Sequence, residues 1–379
     1  MQQLDLSLTI VVERGSRRLV LRMSRFADHI SPPQTCESLA ELVLRSGAQW
    51  LREPKFSATP MELPSARWPQ LAICFDPQAR LGTTSEAIAL LPGGRVYGSG
   101  IIIAPDGKTV ARDVSLDFGY AGGGHWLLNN QKMRIPERIP GQVAVVATAL
   151  GESYAHWLLD ELPRLISLRR EGDFPNLIAH ADSEYSRTAL KLANFSARLI
   201  APARRQHLQA DQLVVPALPG WIGRVSAEHI RRITDFAAPG VKSSSLSPER
   251  IYISRAVAQR RRVENESEIH TALNALGFVA IQLENLSWFD QMSLFRGAKI
   301  VVAPHGAGLA NLVFSRPGTR VIECFGREYV NACFSQLAAI CGLDYVPLVA
   351  NGEGPWGTDP KANRRDFTVS LPELLDALD

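Results

Sequence analysis

Cysteine is scarce in this chain and unhelpfully spaced. Five occur in 379 residues: Cys36, Cys74, Cys324, Cys333 and Cys341. The number is odd and no CxxC or CxH spacing joins them, so a disulfide scaffold or a zinc site is not expected, and a reducing compartment fits. Their default role is that of small buried apolar residues. A strong charge balance is lacking as well. The net charge of +3 argues against a dedicated nucleic-acid binder, although arginine clusters can still mark local anion sites. No apolar run approaches the roughly 18 residues that a membrane helix needs. The N-terminal stretch MQQLDLSLTIVVERGSRRLVLRM alternates like strands and has no basic start followed by an apolar core, so it does not read as a signal peptide. The expectation is a cytoplasmic protein, with peripheral membrane contact through basic side chains left open. Asp-x-Asp, HExxH and paired-cysteine motifs are missing, which leaves metal binding little support. G-x-S-x-G is missing too, which disfavours a Ser–His–Asp hydrolase.

What is present is a soluble, globular composition: 46% hydrophobic and 21% charged residues. The length predicts two domains. Residues 1–140 are punctuated by ELPSARWPQ, LLPGGRVYGSG and GYAGGGHWLLNN; they read as a β-rich region with a helix near Cys36 to Ser46, packed on the first lobe. From Gln142 short apolar strands alternate with helical patterns. QVAVVAT, NLIAH and ARLI are strands, whereas ESYAHWLLDELPRLISLRR and SEYSRTALKLANF are helices. This defines an α/β lobe over 141–240, after which APGVKSSSLSPER reads as a linker. A second alternating series occupies 249–350, with Asn265 and Glu268 forming a capping box and Gly277 a helix stop. Residues 351–379 form a tail with a short helix. Two α/β lobes place the working cleft between them, beyond the carboxyl ends of the strands.

One stretch carries the chemistry most directly. KIVVAPHGAGLANLVFSRPGTRVIECF reads as a strand, a glycine turn with a histidine, and a second strand that ends on a glutamate, Glu323. Gly306 and Gly308 allow a sharp turn and close approach of backbone to a ligand. A helix starting near Leu309 would offer free N–H groups to a phosphate, and His305 is a phosphate hydrogen-bond donor. The stretch is nearly G-x-G-x-x-G, broken by Asn311, and it follows the third strand of its lobe rather than the first. Glu323 is a candidate acceptor for the hydroxyls of a ribose. The alternative is a tight turn with a buried polar histidine.

In ISRAVAQRRR, Arg255 sits at the carboxyl end of a strand, where a planar guanidinium suits a diphosphate. Arg260, Arg261 and Arg262 follow, either as anion ligands or as a solvated basic surface. In ESYAHWLLDELPRL, His156 and Asp160 share a helix face at i,i+4 and Arg164 continues the line. They form a base with an orienting carboxylate, a surface helix pair, or an Asp160–Arg164 pair. Pro163 predicts a kink or restart. The adjacent carboxylates of LDEL point to different helix faces.

Taken together, YAHWLLDELPRL, RIYISRAVAQRRRVENESEI and IVVAPHGAGLANLVFSRPGTRVIECF resemble glycosyltransferase family 61, the capsular polysaccharide biosynthesis type, over about Gly141 to Leu348. The resemblance implies a GT-B-like fold of two Rossmann-like domains facing across a cleft. It implies inverting transfer from a nucleotide sugar, usually a UDP-sugar, to a saccharide or lipid-linked saccharide acceptor, with no obligate metal and no cofactor. On that layout Arg255, Arg261, His305, Gly306, Ala307, Gly308, Asn311 and Glu323 hold the donor. His156 and Asp160 serve catalysis, and Tyr154 and Arg164 stand on the acceptor side. The competing readings are an inactive nucleotide-binding scaffold of a polysaccharide assembly complex and a Rossmann oxidoreductase.

Overall fold

Short runs of apolar and β-branched residues, each closed by a helix or a turn, build a mixed α/β fold around two sheets. The computed structural model describes residues 11–13, 16–18, 29–54, 57–58, 83–84, 86–115, 124–130, 132–220, 225–241, 248–352, 356–357, 359 and 361–379. Cys74, the ELPSARWPQ segment, Gly119, Gly122 and Gly123 of GYAGGGHW and the centre of the serine-rich linker lie outside these residues.

The first sheet has ten strands. They are β1 (Thr35–Glu37), β2 (Gln49–Arg52), β3 (Ile88–Pro92), β4 (Arg95–Tyr97), β5 (Ile101–Ile103), β6 (Thr109–Ala111), β7 (Glu137–Val145), β8 (Asn176–Ile178), β9 (Arg198–Ile200) and β10 (His207–Pro216). Its heart is the parallel run β9-β8-β7-β10. Strands β1 to β6 join the same sheet, in which β3 and β4 pair antiparallel with β10, whereas the other described strands before β7 form three separate two-stranded pairs. The expected early helix is α1 (Leu39–Arg45), started by a capping box between Ser38 and Glu41.

Between β7 and β8 the chain makes one turn of α-helix (Tyr154–His156), a π-helical turn (Trp157–Glu161) and α2 (Leu162–Arg169). The restart expected at Pro163 is there, and its cause is visible. Proline has no N–H for the Leu159 carbonyl, and the Leu162 N–H bonds Trp157 O instead.

Further helices are α3 (Glu184–Ala193) and α4 (Ala227–Ala237). The second sheet is wholly parallel: β11 (Arg250–Ile253), β12 (Val279–Ile281), β13 (Ile300–Pro304), β14 (Arg320–Phe325) and β15 (Asp344–Val349), in the order β12-β11-β13-β14-β15. Its central strands β13 and β14 are almost continuously buried, as strands covered on both faces must be. Around them stand α5 (Glu266–Ala275), α6 (Trp288–Gly297) and α7 (Cys333–Ile340), and α8 (Leu371–Asp376) follows β15. Gly277 takes φ 79° after α5, the expected helix stop. The expected Asn265–Glu268 capping box does not form. Asn265 Oδ1 accepts instead from Val369 N, and its amide donates to Glu268 and to Val369 O. A tertiary partner has taken the capping oxygen.

The two sheets share one apolar core that runs from Val146 and Leu158 to Trp288, Met292 and Leu309. Aromatic rings make the seam: Trp157 lies edge-on to Trp288 at 5.2 Å and tilts against Tyr185 at 4.6 Å. Glu184 of α3 also accepts from Trp288 N at the start of α6.

Strand order reverses between β7 and β10 in the first sheet, and Arg164 fills that crevice. Its guanidinium donates to Pro216 O at 3.0 Å, Val146 O at 2.9 Å and Ala147 O at 3.1 Å. Burial pulls its pKa down to about 10, against the opposing pull of Glu161 and Asp160. Arg164 is 1% exposed, so the acceptor-side position expected for it is not realised. It is a buried tie between strand ends. Arg164→Met should therefore lower unfolding free energy by roughly 3–5 kcal/mol, because it strands three carbonyls and removes a cation beside two buried carboxylates. Urea denaturation measures this, and a loss below about 1 kcal/mol would contradict the assignment.

Candidate functional site

In the second sheet the order reverses between β11 and β13, the point at which parallel α/β sheets leave a crevice for a ligand. The loop after β11 carries Arg255 and the loop after β13 carries His305, Gly306 and Gly308. A cleft of about 190 Å³ opens between them. Arg255, Pro304, Gly306, Ala307, Gly308 and Glu284 line one side, with Tyr154 and Tyr185 from the first sheet's helices on the other.

The glycines leave room for close approach of neighbouring side-chain ends and are not dictated by backbone angle. Gly306 has φ 178°, which any residue can adopt. A Cβ there would stand 2.2 Å from Arg255 Nη1, and one on Gly308 would stand 2.5 Å from Leu283 Cδ1. The helix after the turn is 3-10, Ala307–Phe314, starting two residues before the expected Leu309. Its first bond runs from Leu309 N to Gly306 O at 3.0 Å, so the N–H groups of Ala307 and Gly308 precede the intrahelical ladder.

The arginines are held by neutral groups. Arg255 donates to Arg261 O at 3.3 Å and Arg260 O at 2.9 Å. Arg261 donates to His305 O and Asn363 O, both at 3.0 Å, and lies 5.6 Å over the Tyr329 ring. Both guanidiniums are half-buried, and among the described residues these bonds all end on carbonyls. Burial, then the Arg255 charge, lowers the Arg261 pKa to about 10, and burial lowers that of Arg255 against the pull of Glu284. Two desolvated cations of like charge make a strong demand for an anion. Arg262 is different: it is exposed and paired with Asp366 at 2.6 Å.

His305 lies one layer behind the cleft. Its Nδ1 is 2.5 Å from Glu323 Oε1, and Tyr345 OH donates to Glu323 Oε2 at 2.5 Å. Phe325, Phe334 and Tyr329 surround the imidazole, with the Phe325 ring stacked on it at 5.2 Å. Glu323 is 0% exposed with both oxygens engaged, so it has no face for a ribose. It orients His305. The expected ribose contact is corrected on that ground. Burial, with Glu323 beside it, holds the Tyr345 phenol well above its ordinary pKa and keeps it a donor.

Asn311, expected among the donor ligands, is 0% exposed and bridges the two halves. Tyr154 OH donates to its Oδ1 at 2.5 Å, and its amide donates to Gln291 Oε1 at 3.0 Å and Gly308 O at 3.1 Å. Gln291 in turn donates to Leu283 O and Leu286 O. The turn of helix bearing Tyr154 and His156 packs on the Ala307–Phe314 helix.

His156 Nδ1 and Asp160 Oδ2 are 2.8 Å apart, the imidazole 21% exposed and the carboxylate fully buried. The pair stands beside the cleft and does not line it; Tyr154, two residues earlier, does. Its neighbour Glu161 points elsewhere, as expected for adjacent helical carboxylates, and finds a partner that spacing did not suggest. Glu161 Oε1 accepts from Thr148 N at 2.5 Å and meets His180 Nδ1 at 2.9 Å. The signal available was His180 at the carboxyl end of the NLIAH strand. Tyr185, Leu283, Glu284 and Gln291 were also missed, because no local spacing marks them.

Among the described residues no group of three His, Cys, Asp or Glu side chains is placed to hold a metal ion. No helix among them is long and apolar enough to cross a membrane.

The family model described as Glycosyltransferase 61 matches residues 154–322. That stretch begins at Tyr154, contains Arg255 and His305, and ends one residue before Glu323, and it bears out the resemblance seen in the motifs. The chain is 25% identical over 128 residues to the EGF domain-specific O-linked N-acetylglucosamine transferase of Pan troglodytes, which covers 32% of this chain and 24% of that protein. The Drosophila melanogaster protein of the same name is 32% identical over 97 residues, 25% of this chain and 18% of its own length. The Beta-1,2-xylosyltransferase of Arabidopsis thaliana is 32% identical over 63 residues, 17% of this chain and 12% of its own. The chain thus spans about a quarter or less of the length of these relatives.

The Glu161–His180 pair gives a test with a definite sign. Burial alone would lower the His180 pKa, but the Glu161 hydrogen bond and charge outweigh it and the net shift is upward. A raised pKa stabilises the fold fully below the unfolded value of about 6.5, and the contribution is lost as pH rises through the folded value. The urea midpoint difference between wild type and His180→Gln should be largest on the acid side and shrink toward alkaline pH. A difference that grows with pH would refute the pairing.

Proposed function

From the match of residues 154–322 to glycosyltransferase 61, we propose that the chain is an inverting glycosyltransferase of GT-B-like design. It moves a sugar from a nucleotide-sugar donor, a UDP-sugar, to a hydroxyl of a saccharide or lipid-linked saccharide acceptor in polysaccharide or glycolipid synthesis. The observation that carries this reading is the cleft at the strand-order reversal. There, the Arg255 guanidinium and a glycine turn converge opposite Tyr154, and Arg261 braces the turn from behind through the His305 carbonyl.

In this reading the donor diphosphate lies against Arg255 and the N–H groups of Gly306, Ala307 and Gly308. As the glycosidic bond to the diphosphate breaks, negative charge grows on the leaving oxygen. Arg255 and the fixed N–H dipoles lie where that charge develops and stabilise it without reorganisation. Arg261 holds the His305 carbonyl and so fixes the turn. His305, oriented by Glu323, presents Nε2 as the ring's remaining polar atom. Inversion requires the acceptor hydroxyl on the opposite side of the sugar. His156 takes the hydroxyl proton, and buried Asp160 keeps the ring in one tautomer and balances the imidazolium. The base belongs to the first sheet's helix and the anion site to the second sheet, as an in-line displacement needs.

The test is turnover with a panel of UDP-sugars and saccharide acceptors, read as UDP release. His156→Ala and Asp160→Asn should lower kcat by about 10²–10⁴-fold while leaving UDP affinity within about twofold. Full activity in both variants would remove the base assignment. Gly306→Ala supplies a complementary probe, because its Cβ meets only the movable end of Arg255. It should fold normally and bind UDP at least about tenfold more weakly; unchanged affinity would remove Arg255 from the diphosphate site. Tight UDP binding with no turnover on any donor would favour the inactive scaffold. Saturable NADH binding without UDP binding would favour the oxidoreductase.

A further inference from the structure

Resting on that reading of the cleft, we propose that the nucleoside end of the donor lies in a separate groove between α5 and the carboxyl ends of β11 and β12, with Glu266 at the ribose. A diphosphate held by Arg255 and Gly306 can continue in two directions along the carboxyl edge of the second sheet. Toward β14 and β15 the space is filled: Glu323 and Tyr345 are buried, and three aromatic rings pack around His305. Toward β12 a groove of about 580 Å³ lies open. It adjoins the cleft. Ser254 lines both, and the short turn Leu283–Asn285 divides its side chains, with Leu283 and Glu284 on the cleft and Asn285 on the groove.

The groove's chemistry suits a nucleoside. Glu266 Oε1 accepts from Tyr252 OH at 2.9 Å and from Arg255 N at 3.2 Å, which fixes the carboxylate and leaves Oε2 as an acceptor for a ribose diol. The same residue holds the backbone of Arg255, so the sugar and phosphate sites are tied to each other. Asn285 Nδ2 donates to Gln282 Oε1 at 3.0 Å. That bond leaves Gln282 Nε2 and Asn285 Oδ1 as a neighbouring donor and acceptor, complementary to the imide edge of uracil, which offers a carbonyl beside an N–H. Ser267 and His270, on the first turns of α5, form the outer wall.

Calorimetric titration of the full chain with UDP and with inorganic pyrophosphate tests this. Wild type should bind UDP at least about tenfold more tightly than pyrophosphate. Ser267→Trp, at an exposed helical position, fills the groove without touching Arg255. It should weaken UDP at least about tenfold and leave pyrophosphate affinity within about twofold. Gln282→Ala removes the base-edge donor without adding bulk, and should cost about five- to tenfold for UDP with pyrophosphate unchanged. If wild type prefers UDP and both variants bind it as wild type does, the groove assignment is wrong while the nucleotide-donor reading stands. If wild type does not distinguish UDP from pyrophosphate, the donor reading fails and the groove proposal with it.

Discussion

The site depends on how Arg255 and Arg261 are held. Each guanidinium is fixed by neutral carbonyls, those of Arg260, Arg261, His305 and Asn363. A carboxylate in their place would have fixed the same geometry and cancelled the charge. Carbonyl dipoles fix it without a directly bonded carboxylate, with Glu284 on the cleft wall acting on Arg255 at longer range, in a half-buried setting where charge acts more strongly than in water. Gly306 makes this possible, because any side chain there would displace Arg255 Nη1. Arg262, the next residue along the same basic run, shows the other outcome: it pairs with Asp366 and faces solvent. One sequence run thus contains a poised cation and a neutralised one.

The two sheets treat equivalent positions differently. In each, strand order reverses beside the first strand of its parallel run, and each reversal opens a crevice between diverging loops. In the first sheet Arg164 occupies the crevice and ties Val146, Ala147 and Pro216 together. In the second the corresponding crevice is a cleft walled by Arg255 and the Gly306 turn. Both use arginine, yet in one the guanidinium is spent on three backbone carbonyls through Nε and Nη1 and is sealed, while in the other it lines the opening. That asymmetry is why the proposed anion site lies on the second sheet, with the first supplying Tyr154 and Tyr185 across the seam.

Much of the architecture was legible in the sequence because its causes are local. The apolar runs RIYI, KIVVAP and RVIECF become strands, Gly277 stops its helix at positive φ, and Pro163 forces the restart into α2. Periodicity also placed His156 with Asp160. Depth is what spacing could not supply. Glu323 and Arg164 were given ligand roles because each stands at an element's edge in sequence, but both are sealed inside. The same holds for Asn311, whose partners Tyr154 and Gln291 lie 157 and 20 residues away. The Asn265 capping box failed for a related reason: Val369, 104 residues on, took its oxygen. Local rules name a residue's direction from its helix or strand, whereas distant chain decides whether that direction meets solvent, ligand or another side chain.

The seam between the sheets limits how a donor and an acceptor can meet. Separating the halves would uncover Trp157 and Trp288, which lie edge to face. Two such rings are worth on the order of 5–10 kcal/mol of apolar burial, far more than the polar chain Tyr154–Asn311–Gln291, whose bonds each contribute about 1 kcal/mol net. Burial therefore holds the halves together and the hydrogen bonds set their register. The consequence is chemical. Tyr154 on the wall of the cleft stands on the same helical turn as His156, and Asn311 ties that tyrosine to the Gly308 carbonyl. In the proposed reaction, the helical turn bearing His156 is thereby referenced to the Gly306–Gly308 turn through the Asn311 amide and the Tyr154 phenol, so that proton acceptor and diphosphate would keep a fixed separation.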